Sequence, residues 1–500
     1  MGGAFGRYSL IFFLALSVRL LSWNSVFPGD ETVWVGGPDA YYHARRAELA
    51  AAGAPLSNDL WLNYPQGETL HWPAVYDRML GIVRKISSSR VVAFSPVLFG
   101  VLATLAFSLF AQRLLPDAWL PSSLAFAILP AVVYPSCLGA IDHHCVEALL
   151  VCTLAAALST SSRSPVLAGI IAISSFGIIP MYPILLVLLV GSCILPRCRR
   201  ASAATSVLLS AALAIPVAGR SYFADPWISR INEAEPLIRS EIDFFKAIVW
   251  LSPGFLFLPS ACARWWRARS DMPAATALVA TAVTLPLVLI QSRFTLYFAL
   301  PCALALGETW RHASHLPRRL LRILALALLL PSAGGLHEML SWREDPPREL
   351  RRAMSELSRI TEPAGNPMDP EARPDYGVVA AWDLGNQILS IGERPVLADA
   401  FHTGSSGRDL AHRILLSAPI EATRVADEQN ARVLFLTDIA SNGYAREYRN
   451  TDQPIPYHSL FGQLFILQRT DLGWERIHSS DERIAFELWN VPAVQIWRRK

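Results

Sequence analysis

Charged residues are scarce in this chain of 500 residues. They make up 17% of it, whereas hydrophobic residues make up 52%, and a soluble domain usually carries ~25% charged residues. This scarcity excludes a disordered chain, a collagen and an ordinary cytosolic enzyme. The mean hydropathy of +0.32 requires long apolar runs beside some normally polar sequence. The composition therefore predicts a polytopic membrane protein that carries a water-soluble portion.

Lysine is almost absent, and the cysteines follow no pairing pattern. Only Lys85, Lys246 and Lys500 accompany the arginines, so no polybasic tract occurs, and we expect no nucleic-acid partner. All seven cysteines lie within or beside apolar runs, and none forms the short-spaced pair typical of a metal site. The water-soluble portion is therefore expected to have no disulfide framework.

Long apolar runs, in contrast, are abundant. A membrane span needs ~20 mostly apolar residues. The first run contains Arg19, lacks a small-residue cleavage site and is followed by further runs, so we interpret it as a retained span rather than a signal peptide. Eleven candidate runs occur, near residues 8–22, 91–111, 118–136, 145–160, 165–180, 182–196, 203–218, 246–262, 273–291, 294–308 and 319–335.

Arginine collects in alternate connections between these runs. Cytoplasmic connections carry the excess of positive charge, so the pattern predicts a multi-pass cell membrane protein with a cytoplasmic N-terminus. Arg84, Lys85 and Arg90 are the exception, because they lie at the outer end of the second span. The outer face then receives the loops at about 23–90, around Asp142 and at about 219–245, the corner at 291–294, and residues 336–500.

The composition changes near residue 336. Charged residues become frequent, and the stretch 349–360 carries Leu350, Met354 and Leu357 at helical spacing. Short apolar runs bounded by turn-forming or charged residues predict strands, at 378–381, 432–436, 464–467 and 484–489. We therefore predict a transmembrane domain with outer loops at residues 1–335 and a mixed α/β extracytoplasmic domain, periplasmic or extracellular, at residues 336–500.

The first outer loop contains a candidate ligand, Asp39, after Gly36-Gly37-Pro38. The simplest interpretation makes Asp39 the N-cap of a helix that runs to Gly53, with its carboxylate accepting backbone N–H bonds. A carboxylate fixed at a helix start can still offer its second oxygen to a metal ion. Both interpretations remain open from the residues alone.

The second outer loop places Asp142, His143, His144 and Glu147 at the mouth of an apolar run. Ionisable groups there are costly unless they are paired or bind something. Asp142 and His144, two residues apart, could ligate one divalent cation. An oxygen with an imidazole suits Mn²⁺ or Zn²⁺, whereas Mg²⁺ prefers oxygen and water. The alternative is an interfacial helix cap whose histidines lie at the depth of the lipid headgroups.

Two further outer segments contribute acids and an arginine. Glu233 and Glu235 lie in the third loop, where solvated charge is the ordinary explanation. Arg293, in the corner at 291–294, could extend to lipid headgroups or clamp a pyrophosphate through paired N–H donors. All these residues fall on the predicted outer face. A shared cavity of carboxylates, a histidine and an arginine is typical of metal-assisted transfer from a phosphorylated lipid.

In their order and sidedness, these motifs resemble the catalytic subunit of oligosaccharyltransferase, in the single-subunit form of bacteria and archaea, a membrane glycosyltransferase of the GT-C class. The resemblance covers nearly the whole chain. The segments that carry it are Gly37-Pro38-Asp39, Tyr64-Pro65-Gln66-Gly67 with His71-Trp72-Pro73, Asp142-His143-His144 for the Asp-x-His variant of an Asp-x-Asp motif, Ile231-Asn232-Glu233 for Thr-Ile-x-Glu, Arg293-Phe294 with Tyr297, and Trp382-Asp383-Leu384-Gly385 for the end of Trp-Trp-Asp-Tyr-Gly.

The eleven runs counted above and the thirteen spans usual in this family together give about 11–13 transmembrane helices, each of ~20 residues. The resemblance implies transfer of a glycan from a polyprenyl (pyro)phosphate donor to asparagine of an acceptor protein or peptide, with Asn-x-Ser/Thr as the suspected sequon. Asp39 and Glu233 would also accept hydrogen bonds from the acceptor amide and thereby act catalytically. The remaining roles that it implies are Asp39, Asp142, His144 and Glu233 for a Mn²⁺ or Mg²⁺ cation, Arg293 for the donor phosphates, and Trp382 and Asp383 for the sequon hydroxyl.

The acceptor motif departs from the family pattern. Ala381 replaces its first Trp, and Leu384 replaces its Tyr, which leaves recognition of the sequon hydroxyl open. One alternative is a related lipid-phosphate-sugar transferase that acts on hydroxyl or lipid acceptors. Another is a transporter of lipid-linked sugars, which predicts polar residues on both sides of the membrane midplane rather than at one face.

Overall fold

The computed structural model describes most of the chain and divides it into two compact units. The first unit comprises residues 1–34 and 93–343, and the second comprises residues 35–92 and 344–500. The described residues are 2–29, 33–70, 73–159, 164–179, 182–198, 200–219, 236–238, 240–313, 317, 320, 330–337, 348–400, 405–437, 457–486 and 488–500.

Helices of apolar sequence dominate the chain up to residue 313. Two of the helices, α3 and α4, belong to the second unit, and α5 crosses the boundary between the units after residue 92. In chain order they are α1 (Gly2–Arg19), α2 (Trp23–Val26), α3 (Pro38–Ala52), α4 (Val75–Ile86), α5 (Ser89–Ala93), α6 (Ser95–Leu114), α7 (Trp119–Ile128), α8 (Pro130–Val133), α9 (His144–Leu158), α10 (Ser164–Ser174), α11 (Tyr182–Ile194), α12 (Arg200–Gly219), α13 (Glu241–Leu251), α14 (Leu258–Arg267), α15 (Met272–Ile290) and α16 (Thr295–Ala313).

The first unit is a helical bundle with one large apolar core. Helix α6 packs against α1, α7 and α9, and α15 packs against α11, α12 and α16. Phe107 and Phe126 stack between α6 and α7, with ring centroids 4.1 Å apart. Arg19 is buried in this unit, where its Nε donates to Ser136 Oγ over 2.8 Å. Such a buried charge is tolerated only when polar atoms receive its donors.

The predicted apolar runs coincide with helices wherever the chain is described. The runs from 8–22 to 294–308 each overlap a helix, and most of the run 319–335 lies outside the described residues. Among the described residues, Ser89–Leu114 and Met272–Ile290 are long and apolar enough to cross a membrane. Two pairs of consecutive helices, each bent at a short break, could each form one further span, which raises the number of possible spans to four. These pairs are Trp119–Ile128 with Pro130–Ser136 and Asp243–Leu251 with Pro253–Arg267.

The second unit combines helices with three small sheets. Its remaining helices are α17 (Arg348–Ile360), α18 (Gly385–Ile391), α19 (Ser405–Leu416) and α20 (Pro419–Glu428). Its strands are β1 (Asn58–Asp59), β2 (Glu68–Thr69), β3 (Gly377–Val379), β4 (Ala431–Thr437), β5 (Trp474–Ser479), β6 (Arg483–Phe486), β7 (Trp489–Pro492) and β8 (Val494–Arg499).

A four-stranded sheet with the order β3-β4-β8-β5 forms the centre of this unit. Strands β3 and β4 run parallel, whereas β8 is antiparallel to both β4 and β5. Leu434 of β4 and Ile496 of β8 are fully buried, because central strands covered on both faces bury nearly every side chain, and Val378 of β3 is fully buried as well. The helix predicted at 349–360 is confirmed by α17, and the strand predicted at 432–436 is confirmed by β4.

Three of the predicted strands differ in the structure. The strand predicted at 464–467 is wrong, because residues Gly462–Ile466 form a π-helical turn whose apolar side chains are all buried. A short apolar run cannot distinguish a buried helix from a buried strand. The run 484–489 contains two strands, since β6 and β7 pair as an antiparallel hairpin. The strand predicted at 378–381 is shorter than expected, because β3 ends at Val379.

Backbone hydrogen bonds explain why residues 35–92 group with residues 344–500. The Leu60 N–H donates to Pro370 O over 2.7 Å, and the Val396 N–H donates to Trp61 O over 2.9 Å. The Arg45 side chain donates to Pro367 O over 2.8 Å. The predicted boundary at 335/336 separates membrane from aqueous sequence rather than packed units, and it stays a prediction.

Candidate functional site

The loop before α9 brings four ionisable side chains together. Gly139 has a φ of +81°, and a Cβ at this position would meet Val26 Cγ2 at 2.8 Å, so glycine is required here. The turn continues with the Asp142 N–H donating to Ala140 O over 2.8 Å, and α9 then begins at His144. Asp142, His143 and His144 therefore lie at the start of an apolar helix, as predicted.

The Asp142 carboxylate contacts both histidines. Its Oδ1 lies 2.7 Å from His143 Nδ1, and its Oδ2 lies 3.7 Å from His144 Nε2. Two ligands that each lie about 2.1 Å from one ion are about 3–4 Å apart. The separation between Asp142 Oδ2 and His144 Nε2 therefore fits a shared cation.

Glu147 completes the cluster, although our interpretation of the sequence gave it no role. Its side chain is 1% exposed, its Oε2 lies 2.7 Å from His144 Nδ1, and its Oε1 lies 3.9 Å from His143 Nε2. The ligand atoms of His143, His144 and Glu147 all lie within 4.8 Å of one another. The i, i+3 spacing from His144 to Glu147 was the available signal, because it places both side chains on one helical face.

Asp39 lies in the second unit, in the first turn of α3, with an exposed side chain. The predicted helix is confirmed, since α3 ends at Ala52 and is followed by Gly53 in the left-handed conformation. The prediction that Asp39 is the N-cap is wrong, because Pro38 takes the first helical position and Gly37 therefore occupies the cap. The positive end of the helix still favours the Asp39 carboxylate.

A buried ion cluster fixes α3 against α4. His43 Nδ1 lies 2.5 Å from Asp77 Oδ1, and Arg46 Nη1 lies 2.9 Å from Asp77 Oδ2, with all three side chains at most 5% exposed. Tyr42 donates to Asp59 Oδ2 over 3.3 Å. Burial, together with the Asp59 carboxylate, raises the pKa of Tyr42 well above its usual value, so the hydroxyl stays protonated. Asp39 therefore stands on a helix that is rigidly held within its unit.

Arg293 lies in the first unit, in a short 3₁₀ helix, Ser292–Phe294, between α15 and α16. Its side chain is half-buried, and its guanidinium carbon lies 5.0 Å from the centre of the Phe294 ring. A cation stacked on an aromatic ring keeps its planar fork oriented. The predicted corner is thus present, with Tyr297 in the first turn of α16.

Trp382 and Asp383 lie in the second unit, in a 3₁₀ turn between β3 and α18, and both are half-buried. Gly385 follows because a Cβ there would meet Ala398 O at 2.0 Å. Ala381 and Leu384, the two departures from the family motif, are 6% and 4% exposed and belong to the core of this unit. Asn386, which we did not predict, is fully buried, and its amide makes no hydrogen bond to the described residues.

Part of the predicted site lies outside the described residues. Glu233, its rival Glu235 and the other residues of the Ile231-Asn232-Glu233 motif belong to this part. Asp142 and His144 are brought together within the first unit, whereas Asp39 belongs to the second. The assignment of Asp39, Asp142, His144 and Glu233 to one cation therefore stays a prediction.

Sequence comparisons relate this chain to archaeal enzymes. A family model described as the AglB core domain matches residues 360–440. Dolichyl-phosphooligosaccharide-protein glycotransferase 2 of Archaeoglobus fulgidus is 25% identical over 521 aligned positions, which cover 85% of this chain and 85% of that protein. Dolichyl-phosphooligosaccharide-protein glycotransferase 1 of the same organism is 30% identical over 167 positions, which cover 32% of this chain and 28% of that protein.

Solved structures share the fold across the whole chain. The apo oligosaccharyltransferase of A. fulgidus superposes with a TM-score of 0.79 at 16% identity, covering 99% of this chain and 88% of that one. A. fulgidus AglB in complex with an inhibitory peptide and a dolichol-phosphate gives a TM-score of 0.76 at 15% identity, with the same coverage. A complex of the A. fulgidus enzyme with Zn and sulfate gives 0.75 at 16% identity, again with the same coverage.

These likenesses confirm the predicted fold class, an α-helical polytopic membrane protein with a C-terminal mixed α/β domain. Motif order, sequence identity over 85% of the chain and the shared fold agree with one another. The chain is therefore homologous to the archaeal oligosaccharyltransferase AglB.

Proposed function

We propose that this chain is an oligosaccharyltransferase that transfers a glycan from a polyprenyl (pyro)phosphate donor to the side-chain nitrogen of asparagine in an acceptor protein. The observation that carries the proposal is the Asp142–His144 pair, with Oδ2 and Nε2 3.7 Å apart at the start of an apolar helix. The homologous A. fulgidus enzymes, whose names and structures refer to dolichyl-phosphooligosaccharide, dolichol-phosphate and an acceptor peptide with an NVT sequon, support the same reaction.

The proposed ligand side chains, three carboxylates and an imidazole, suit a divalent cation. We propose that Asp39, Asp142, His144 and Glu233 bind it, as Mn²⁺ or Mg²⁺, and an imidazole among the ligands favours Mn²⁺ over Mg²⁺. The homologous structure with Zn supports a divalent metal without deciding between these two. When bound, the cation offsets the negative charge that develops on the leaving phosphate.

The chain's own residues would orient the two substrates. Arg293 would hold the donor phosphates through paired N–H bonds. Asp39 and Glu233 would accept hydrogen bonds from the acceptor amide, which weakens its conjugation and frees the nitrogen lone pair for attack on the sugar carbon. Trp382 and Asp383 would receive the sequon hydroxyl, and their half-buried positions leave part of each side chain accessible.

The proposed topology places these groups outside the cytoplasm. The arginine clusters of alternate loops favour a cytoplasmic N-terminus, and residues 336–500 would then form an extracytoplasmic domain. The donor lipid would be held in the bilayer, beside the apolar helices of the first unit.

A transfer assay tests the proposal. The purified chain is incubated with a lipid-linked oligosaccharide extract, Mn²⁺ and a labelled Asn-x-Thr peptide, and the peptide mass is measured. We expect a mass increase with this peptide and none with the matched Gln-x-Thr peptide. Glycan appearing on both peptides would indicate transfer to the hydroxyl instead, and no product from the folded chain would refute the proposal.

A further inference from the structure

We propose that Glu147 is a positioning residue that sets the orientation and the tautomer of His144 for cation binding. This inference deepens the proposed function and rests on it. It assigns a role to a side chain that lies outside the four proposed ligands.

The two ring nitrogens of His144 have different neighbours. Nδ1 lies 2.7 Å from Glu147 Oε2, whereas Nε2 lies 3.7 Å from Asp142 Oδ2. An ionised carboxylate only accepts hydrogen bonds, so Nδ1 must carry the proton that it donates to Glu147. In the neutral imidazole the lone pair then lies on Nε2, which is the nitrogen on the Asp142 side.

The Glu147 carboxylate is held firmly enough to orient the ring. Its side chain is 1% exposed, so it cannot turn into solvent without rearranging the helix around it. The Glu147 N–H donates to His143 O over 3.0 Å, which fixes the backbone at this turn. Tyr297 of α16 lies beside the carboxylate on another side. A carboxylate bonded to the second nitrogen of a ligating histidine fixes both its tautomer and its ring orientation.

The rival interpretation is that Glu147 ligates the cation directly, since its ligand atoms and those of both histidines lie within 4.8 Å of one another. Ligation through Oε2 would break its 2.7 Å contact to Nδ1, whereas ligation through Oε1, which lies 3.9 Å from His143 Nε2, would leave that contact intact. The two interpretations predict different effects when glutamine replaces Glu147. A glutamine carbonyl accepts the Nδ1–H bond as a carboxylate does, but an amide is a poor ligand for Mn²⁺ in place of a carboxylate.

Mn²⁺ binding to the purified full chain tests the inference without donor or acceptor. Free Mn²⁺ is measured by electron paramagnetic resonance for the wild type, Glu147→Gln, Glu147→Ala and the reference variant His144→Ala. We expect Glu147→Ala to weaken Mn²⁺ binding by about 10–100-fold and Glu147→Gln to weaken it by less than about 3-fold, because the hydrogen bond persists. Asp117→Ala, which removes an exposed carboxylate of the same unit, should leave the affinity unchanged.

The outcomes separate the positioning role from the metal site itself. Equal losses in Glu147→Gln and Glu147→Ala would make Glu147 a direct ligand and overturn the inference. So would an unchanged affinity in Glu147→Ala while His144→Ala loses binding. An unchanged affinity in His144→Ala would instead refute the proposed cation site, and the positioning role with it. If Glu147→Ala does not fold, Glu147→Met, which fills a similar volume without accepting a hydrogen bond, is expected to show the same loss.

Discussion

At the scale of single residues, charge at the start of α9 is balanced by near neighbours. Asp142 contacts His143 and His144, and Glu147 also contacts both histidines. Removing one side chain from a buried cluster of charges lowers the folding stability by more than the whole cluster contributes to it, because the remaining charges lose their partners. Substitutions at exposed positions are therefore cleaner probes of the reaction than substitutions inside this cluster.

Asp39, whose side chain is exposed, provides such a probe, and the proposed ligand Glu233 is tested beside it. Asp39→Ala and Glu233→Gln should each lower peptide glycosylation by at least about 100-fold, as expected when a group that stabilises developing charge is removed. Turnover and thermal unfolding are measured on the same purified protein, and the unfolding temperature should not change. Glu235→Gln is the matched control within the same loop. Loss of turnover in Glu235→Gln alone would transfer the ligand role to Glu235.

Arg293 should act on the donor rather than on the acceptor. Arg293→Ala is expected to raise the KM for the lipid-linked donor by about 10-fold or more, equivalent to the loss of a charge-assisted hydrogen bond, with little change in the KM for the peptide. Arg293→Lys should restore only part of the loss, because an ammonium cannot bind two oxygens in one plane. An equal rise in both KM values would contradict a phosphate-binding role.

Short motifs predicted that Asp142, His144, Arg293, Trp382 and Asp383 lie at helix or turn boundaries, where the structure places them, and their roles stay predictions. The contribution of Glu147 was not, because i, i+3 spacing occurs throughout helices and only coordinates distinguish a contact. Asn386 follows a recognisable motif, but its burial depends on residues distant in the chain.

At the scale of elements, the pair α3 and α4 determines how Asp39 is presented. The pair is held by the buried cluster of His43, Arg46 and Asp77, in which one carboxylate serves two cationic partners. Glycine at position 81 permits the close approach, because a Cβ there would meet Ala50 Cβ at 2.6 Å. The position of Asp39 within its unit therefore depends on Asp77.

Breaking this cluster should destabilise the second unit. We expect Asp77→Ala to reduce the free energy of unfolding by about 3–5 kcal/mol, since it leaves a buried arginine without its partner. The measurement is thermal or denaturant unfolding of the purified chain. Arg78→Ala, one residue away on the exposed face of α4, should change stability by less than about 0.5 kcal/mol. A similar effect from both variants would show that the cluster contributes little.

Lys85, one of the three residues that break the arginine pattern, lies on helix α4. Val75, Met79, Ile82 and Ile86 form an exposed apolar stripe at i, i+4, i+7 and i+11. The wheel angles place the exposed cations Arg78 and Lys85 along one edge of this stripe. An apolar face flanked by basic side chains is typical of a helix that lies in a membrane interface. We therefore expect Lys85 to bind headgroup phosphates, in which case its charge does not indicate a cytoplasmic loop.

Photocrosslinking can check this account of α4. A benzoylphenylalanine in place of Ile82, which is 66% exposed, should crosslink to lipid in vesicles that contain anionic phospholipid. The same group in place of Ile420, an 88% exposed isoleucine on α20, should not. Lipid adducts at both positions, or at neither, would contradict an interfacial α4.

Helices whose ends or spacing are marked by characteristic residues were predictable from the sequence. The Gly-Pro start and Gly53 end of α3 and the helical spacing of α17 both fixed helices close to their observed bounds. The π-helical turn at Gly462–Ile466 and the hairpin of β6 and β7 were not predictable, because their short apolar runs take their conformation from the packing around them.

At the scale of the whole molecule, residues far apart in sequence share one compact unit. The Leu60–Pro370 and Trp61–Val396 backbone bonds join the first loop to the C-terminal residues. Neither composition nor periodicity contains information about such a pairing. The order of motifs along the chain did predict the homology and the fold class, because those motifs recur in the same sequence order in the family.

The central claim is that Asp39, Asp142, His144 and Glu233 hold one cation. Anomalous scattering from crystals of the chain grown with Mn²⁺ tests it most directly. The account predicts one strong peak about 2.1 Å from Asp142 and His144, with Asp39 and Glu233 as further ligands. A peak that lacks Asp142 and His144, or separate ions at Asp39 and at Asp142, would contradict it.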